Sequence, residues 1–271
     1  VTYAWMNIPN LRSWLNLPSE YYELDYKDPL RKEMRFKAAD DAILANRNAL
    51  DGMNVTDLLP KVYEKQQNMV VTYDLDDGEC VDFVAPKDSS NRGFISIFTM
   101  DLLSETLSFE ADHILGNHPL VYASADTLIL TENSWDWWWF WGDHDGDEAT
   151  NIHVFDISDA GDTEYIGSGR VNGTILNQFS ISEYEGHIRV ATTTGQWNQW
   201  WLDNPEPMSS QVVVLEQEIQ SDQSIQYVEI GSVVGIAPTE RIWSCRFVEE
   251  KAYIVTFRNI DPLWTIDLSD P

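Results

Sequence analysis

Basic side chains are scarce in this sequence. Only 17 Lys and Arg stand against 45 Asp and Glu, a formal net charge of -28 over 271 residues. So acidic a surface repels nucleic acid and anionic lipid by Coulomb force, which argues against both as partners. It suits solubility in salty or extracellular surroundings and, as a sharper alternative, a basic partner. Long apolar runs are missing too: none approaches the ~20 residues that a membrane-spanning helix needs. Cysteine is limited to Cys80 and Cys245. The pair permits one disulfide in an oxidising compartment; alternatively Cys245 packs as a small hydrophobe in a predicted buried strand.

Catalytic motifs are equally thin. The histidines (His113, His118, His144, His153 and His187) are scattered, without metal-site spacing. There is no Walker loop, dinucleotide fingerprint or Gly-x-Ser-x-Gly elbow. Ser168, between Gly167 and Gly169, falls in a predicted strand with no base near it in sequence, and reads as structural. Carboxylates abound, yet nothing selects a pair for glycoside hydrolysis. Asn54-Val-Thr and Asn172-Gly-Thr match the glycosylation acceptor, though Asn172-Gly173 is better explained as a turn.

What the chain has is a repeat, and 43% hydrophobic residues with which to build a core around it. The stretch 176–195 reads as two short strands. Phe179, Ile181 and Tyr184 supply the apolar set of the first, and Ile188, Val190 and Thr192 alternate in the second. Glu185-Gly186 is the turn between them. The pattern returns at 241–257 and, more faintly, precedes at 120–131. A third strand follows each hairpin: Asn151-Ile-His-Val-Phe-Asp-Ile157, Gln211-Val-Val-Val-Leu-Glu216 and Leu263-Trp-Thr-Ile-Asp-Leu268, with a relative at Phe94-Ile-Ser-Ile-Phe-Thr-Met-Asp101. Fourth strands are predicted near 107–115, 164–171 and 226–234. The acidic residue closing the third strand moves from Asp101 to Asp156, Glu216 and Asp267, in steps of 55, 60 and 51 residues. Four short strands per unit, at a period somewhat above ~40–45, predict an all-β chain: a β-propeller of four-stranded antiparallel blades with loop insertions.

The N-terminal third differs. Residues 1–5 read as the end of a blade strand, 6–93 as a mainly helical and loop insertion between blade strands, and 94–271 as two whole and two partial blades. Asp28-Pro29 is a helix start, with an amphipathic helix predicted over 30–50 on Met34, Ala38, Ile43 and Leu44. Asn54 is read as the cap of a shorter helix around 56–66, and 70–73 and 81–84 as short extended pieces. Both ends read as cuts through a longer polypeptide.

The stretches Asn177-Gln-Phe-Ser-Ile-Ser-Glu-Tyr-Glu-Gly-His-Ile-Arg-Val-Ala-Thr-Thr193 and Glu240-Arg-Ile-Trp-Ser-Cys-Arg-Phe247, with the run 252–271, resemble the secreted bacterial and archaeal beta-propeller domain proteins, distantly related to WD40 repeats. Asp57-Leu-Leu-Pro-Lys-Val-Tyr63 and Gly93-Phe-Ile-Ser-Ile97 resemble that family's lead into a blade. The resemblance implies a propeller, export and a cell-surface or extracellular setting, and it implies no catalytic residues.

In such blades the connection between the second and third strands leaves on one face, beside the links between successive blades. Here three of the four such connections are long (3–93, 132–150 and 195–210, against the short 258–262), so binding function is expected there. Two carry tryptophan runs: Trp135, Trp137, Trp138, Trp139 and Trp141 in one, Trp197, Trp200 and Trp201 in the other. Indole rings suit a protein hot spot or sugar stacking; packed on one another they would form a satellite core. Asp143, Asp145 and Asp147 alternate like the opening of a calcium loop, but an EF-hand would need Glu at its twelfth position, where Val154 stands. Calcium is therefore an alternative to no cofactor at all, beside the reading of a solvated acidic turn. The expectation is a non-enzymatic extracellular or cell-surface binding or scaffold module. Its partner is a protein, or the remainder of a longer polypeptide that completes the propeller. The alternatives are a polysaccharide-active hydrolase and a calcium-dependent carbohydrate-binding adhesin.

Overall fold

The structure of the protein, a computed structural model, describes residues 4–5, 11–12, 14–54, 57, 61–66, 69–74, 83–84, 93–103, 110–116, 119–133, 148–196, 207–257 and 263–270. The chain divides into two compact units, Ala4–Asp82 on one side and Val1–Tyr3 with Phe83–Pro271 on the other.

The smaller unit holds a two-residue strand β1 (Ala4–Trp5), helices α1 (Ser19–Glu23) and α2 (Pro29–Asp51), and a hairpin of β2 (Lys61–Gln66) and β3 (Met69–Asp74). The start of α2 is the predicted one: Asp28 caps it by accepting from Leu30 N at 2.9 Å, and Pro29 takes the first turn, where its missing N–H costs nothing. Of the predicted amphipathic stripe, Met34 and Ala38 are sheltered, and Ile43 and Leu44 are corrected. The sheltered positions of α2 are Arg31, Met34, Ala38, Ala39, Ala42, Ala45, Asn46 and Ala49, whereas Ile43 and Leu44 are exposed. Alanines spaced by three and four let neighbouring backbone come close, so the large residues fall on the other side. The Arg31 guanidinium lies 4.5 Å from the Tyr21 ring centre and holds the preceding segment on the helix. The helix expected around 56–66 is also corrected, because 61–66 pair antiparallel with β3 from Lys61↔Asp74 to Gln66↔Met69. Pro60 disfavours helix before it, and Val70, Val71 and Thr72 offer a β-branched partner strand.

The larger unit is all β. After β4 (Phe83–Val84), strands β5 (Gly93–Thr99) and β6 (Glu110–Leu115) form the third and fourth strands of a first blade. A second blade is complete: β7 (Leu120–Ala123), β8 (Thr127–Asn133), β9 (Ala149–Asp156) and β10 (Glu164–Asn172), paired antiparallel in that order. The third blade is complete too. Its first strand is split into β11 (Thr174–Ile175) and β12 (Ile181–Tyr184) by a 3-10 turn, and both pieces pair with β13 (His187–Thr194). Strands β14 (Ser209–Ile219) and β15 (Ile225–Ile236) follow. The fourth blade contributes β16 (Ile242–Val248), β17 (Lys251–Thr256) and β18 (Leu263–Asp267). This is the repeat read from the sequence. At the central hairpin Glu185 and Gly186 take φ of 51° and 81°, the two positive values that a tight two-residue turn requires.

Blades stack through alternate faces of their strands. Ile95 and Ile114 of the first blade meet Leu130 and Phe155 of the second. Ile152 and Val154 of the second meet Ile181, Val190 and Val213 of the third. Ala191 and Val212 of the third meet Ile242, Cys245 and Ile254 of the fourth. Cys245 is fully buried with a free thiol, and burial pushes its pKa up to about 12, so it packs as a hydrophobe; Cys80 lies outside the described residues.

The repeat did not announce a seam between blades. β10 pairs in parallel with β15, Ser168 opposite Gln226 and Gly169 opposite Tyr227, which joins the second and third blades into one nine-stranded sheet. Small residues make this approach possible. A Cβ on Gly169 would sit 2.8 Å from Tyr227 O, and one on Gly167 would collide with Ile225 O.

Candidate functional site: the loop-bearing end of the blades

The eight tryptophans of the two runs and Asp143, Asp145 and Asp147 lie outside the described residues. The strand ends from which their connections leave and to which they return are described. The first connection runs from Asn133 at the end of β8 to Glu148 ahead of β9, and the second from the end of β13 to the start of β14.

These ends meet the links between blades. Gly173 N, on the link from the second to the third blade, donates to Glu148 O at 2.6 Å. The Thr150 hydroxyl donates to Gly173 O at 2.7 Å, and the Thr174 hydroxyl lies 3.2 Å from Glu148 Oε1. At the second connection, the Thr192 hydroxyl donates to Asn172 O at 2.7 Å, and Gln211 Nε2 donates to the same carbonyl at 2.9 Å. On the next link, Ile242 N donates to Thr193 Oγ1 at 3.2 Å, Thr193 and Ser210 share a hydroxyl contact at 3.3 Å, and Ser210 donates to Glu240 O at 3.4 Å. Thr239 N closes onto Met208 O at 2.7 Å. Thr150, Thr192, Thr193 and Ser210 are all buried.

The chemistry of this belt is positional. The links lie at the ends of the strand ladders, and buried backbone polar groups there must find a partner. Short hydroxyl side chains at strand ends provide it and fix where each connection begins. The sequence hint was the run Thr192-Thr-Thr194 with Asn172-Gly-Thr174, which reads only as strand and turn until the two are brought together.

Two further buried polar residues went unread in the sequence. Arg189 is 4% exposed and runs between blades. Its guanidinium lies 4.6 Å from the Tyr184 ring centre and 5.1 Å from that of Phe247. It donates to Ser182 Oγ at 2.8 Å and to the carbonyl of Glu249 in the fourth blade's hairpin turn. Burial lowers its pKa, and the aromatic faces and turn carbonyl offset part of that cost. His153 is 3% exposed on β9, and its Nδ1 lies 3.4 Å from Tyr165 OH. Burial lowers its pKa from 6.5 to about 4, so the ring is neutral at ordinary pH. Among the described residues no group of three His, Cys, Asp or Glu could hold a metal ion, and no helix is long and apolar enough to cross a membrane.

Repeated four-strand blades stacked face to face, with hydroxyl-tied links at one end, define this chain as a run of β-propeller blades. It belongs to the beta propeller domain family, whose model matches residues 31–271. It is similar to an uncharacterized protein of Methanocaldococcus jannaschii, 38% identical over 110 residues that make up 41% of this chain and 16% of that protein. An uncharacterized protein of Archaeoglobus fulgidus is 34% identical over 124 residues, 46% of this chain and 16% of that protein. The matched stretch thus spans 16% of the length of each of these relatives. No solved structure matches the chain.

Proposed function

We propose that the protein is a non-enzymatic binding or scaffold module at the cell surface or outside the cell, which offers the loop-bearing end of its blades to a protein partner. The supporting observation is the hydroxyl belt. Both tryptophan-bearing connections spring from strand ends tied to the inter-blade links through Thr150, Thr174, Thr193 and Ser210. Long aromatic loops on a fixed base are the arrangement that rigid scaffolds use for recognition. Trp is among the residues that carry most of the energy at protein interfaces, so the two runs are the contact residues of this reading.

The partner includes the segment, in the same polypeptide or another chain, that completes the propeller. The outward face of the fourth blade exposes Leu263 (61%) and Phe257 (69%), with Trp243 beside Phe257 at 6.0 Å between ring centres. The corresponding faces of the other blades are covered by the next blade.

The test begins with the partner cross-linked to the protein on intact cells of its source, then purified and titrated against the chain. Trp137→Ala/Trp139→Ala and Trp200→Ala/Trp201→Ala should each weaken binding by about tenfold or more. Unchanged affinity in both variants, with the fold intact by circular dichroism, removes the tryptophan runs from the interface. Finding the protein only in the cytosolic fraction removes the proposed location.

A further inference from the structure

Helix α2 is apolar on two sides, and among the described residues only one of them is covered. A surface helix normally carries a single apolar stripe, turned toward its core. On α2 that is the alanine side, marked by the buried Ala38 and Ala42. A second stripe consists of Phe36, Ile43 and Leu50, which are 61%, 52% and 45% exposed. These three stand seven residues apart, so each lies only ~20° round the helix from the one before. Five residues at 100° each place Ile43 about 140° round from Ala38, well clear of the covered side.

The two flanks of this stripe differ. On one, Asn46 grips the segment ahead of the helix: Arg12 N donates to Asn46 Oδ1 at 2.7 Å, and Asn46 Nδ2 donates to Arg12 O at 3.2 Å. On the other stand Asp40 and Arg47, both exposed, one turn to either side of Ile43. α2 is also where the acidity of the chain lapses. It holds five Lys and Arg against four Asp and Glu, a net +1 in a chain of -28. Two copies of so acidic a chain repel each other least where they meet through this helix.

We propose that the Phe36–Ile43–Leu50 stripe is a homodimer contact, and that its occupant is α2 of a second copy, lying antiparallel about a two-fold axis at Ile43. The pattern fits itself. Positions 36 and 50 are equally far from 43, so the axis sets Ile43 on its counterpart and Phe36 on Leu50 of the other copy, twice over. An antiparallel two-fold keeps each flank on its own side. Asp40 therefore meets Arg47 of the other copy, again twice, and these opposite charges fix the register. Three apolar residues per copy make a small contact, so the dimer is weak and forms in the micromolar range or above.

The test is sedimentation equilibrium of the full chain from about 5 to about 500 µM, where the proposal expects a monomer–dimer equilibrium. Ile43→Glu should abolish the dimer and leave circular dichroism and the thermal midpoint unchanged, because Ile43 is exposed in the single chain. Asp40→Arg should weaken dimerisation by about tenfold, and Asp40→Arg/Arg47→Asp should restore it. A dimer indifferent to Ile43→Glu overturns the proposal, since another surface then joins the copies. A dimer that Ile43→Glu abolishes but the double charge reversal does not restore overturns the antiparallel register. A chain that is monomeric throughout overturns the occupant. In that case loss of thermal stability in Ile43→Glu assigns the stripe to a contact within the chain, and retention on lipid vesicles that the variant loses assigns it to a membrane surface.

Discussion

Single buried polar residues set how this fold responds to its surroundings. His153 is held neutral, with a folded pKa of about 4 against 6.5 when unfolded. Between these values the unfolded chain binds a proton that the folded chain refuses. Stability is therefore complete above pH 6.5 and declines as pH falls toward 4, by about 3 kcal/mol for a 2.5-unit difference. Denaturant titrations across that window should show the decline, and His153→Leu, which matches the apolar character of nearby Leu130 and Phe155, should flatten it. An equal slope in the variant would place the acid sensitivity elsewhere. Arg189 is a contrasting case: its charge is kept, and two rings and a turn carbonyl are arranged around it, so that it ties the third blade to the fourth.

At the scale of elements, the β10–β15 seam makes a sharp prediction. Gly167→Ala puts a methyl against the backbone of Ile225, where no side chain can swing away, and should cost about 1–3 kcal/mol in equilibrium unfolding. Gly186→Ala adds its methyl to open space and suffers only from the positive φ of 81°, about 1 kcal/mol. Similar losses for the two would mean that the seam is not a close backbone contact. The seam also marks where sequence reading stops. Strand order, hairpin turns and the Asp28-Pro29 helix start were legible because period-two alternation and turn or cap chemistry are local signals. The loop-bearing end was legible as well, since it follows from strand order. Ile-Gly-Ser at 166–168 was visible, but its meaning lies in a pairing between Ser168 and Gln226, far apart in the chain. The hydroxyl belt was hidden for the same reason, as Thr193 acquires a role only when Ile242 N arrives. Elsewhere local signals competed and the wrong one was followed: 61–66 joined a hairpin, and the sheltered side of α2 is drawn mostly from alanines.

For the whole molecule the governing quantity is the charge of -28. Like charges spread over stacked blades repel within the ~10 Å over which 0.1 M salt leaves fields unscreened. The thermal midpoint should therefore rise as sodium chloride goes from about 10 to about 150 mM. A midpoint indifferent to salt would show that the carboxylates are already neutralised by bound cations. The blades, however, are not equally joined. The second and third share a hydrogen-bonded ladder, whereas among the described residues the fourth forms a separate three-stranded sheet, held through side chains and its connecting link. Under tension the shared pair is expected to bear load as a single plate, with the fourth blade peeling away first as a separate step in single-molecule force unfolding.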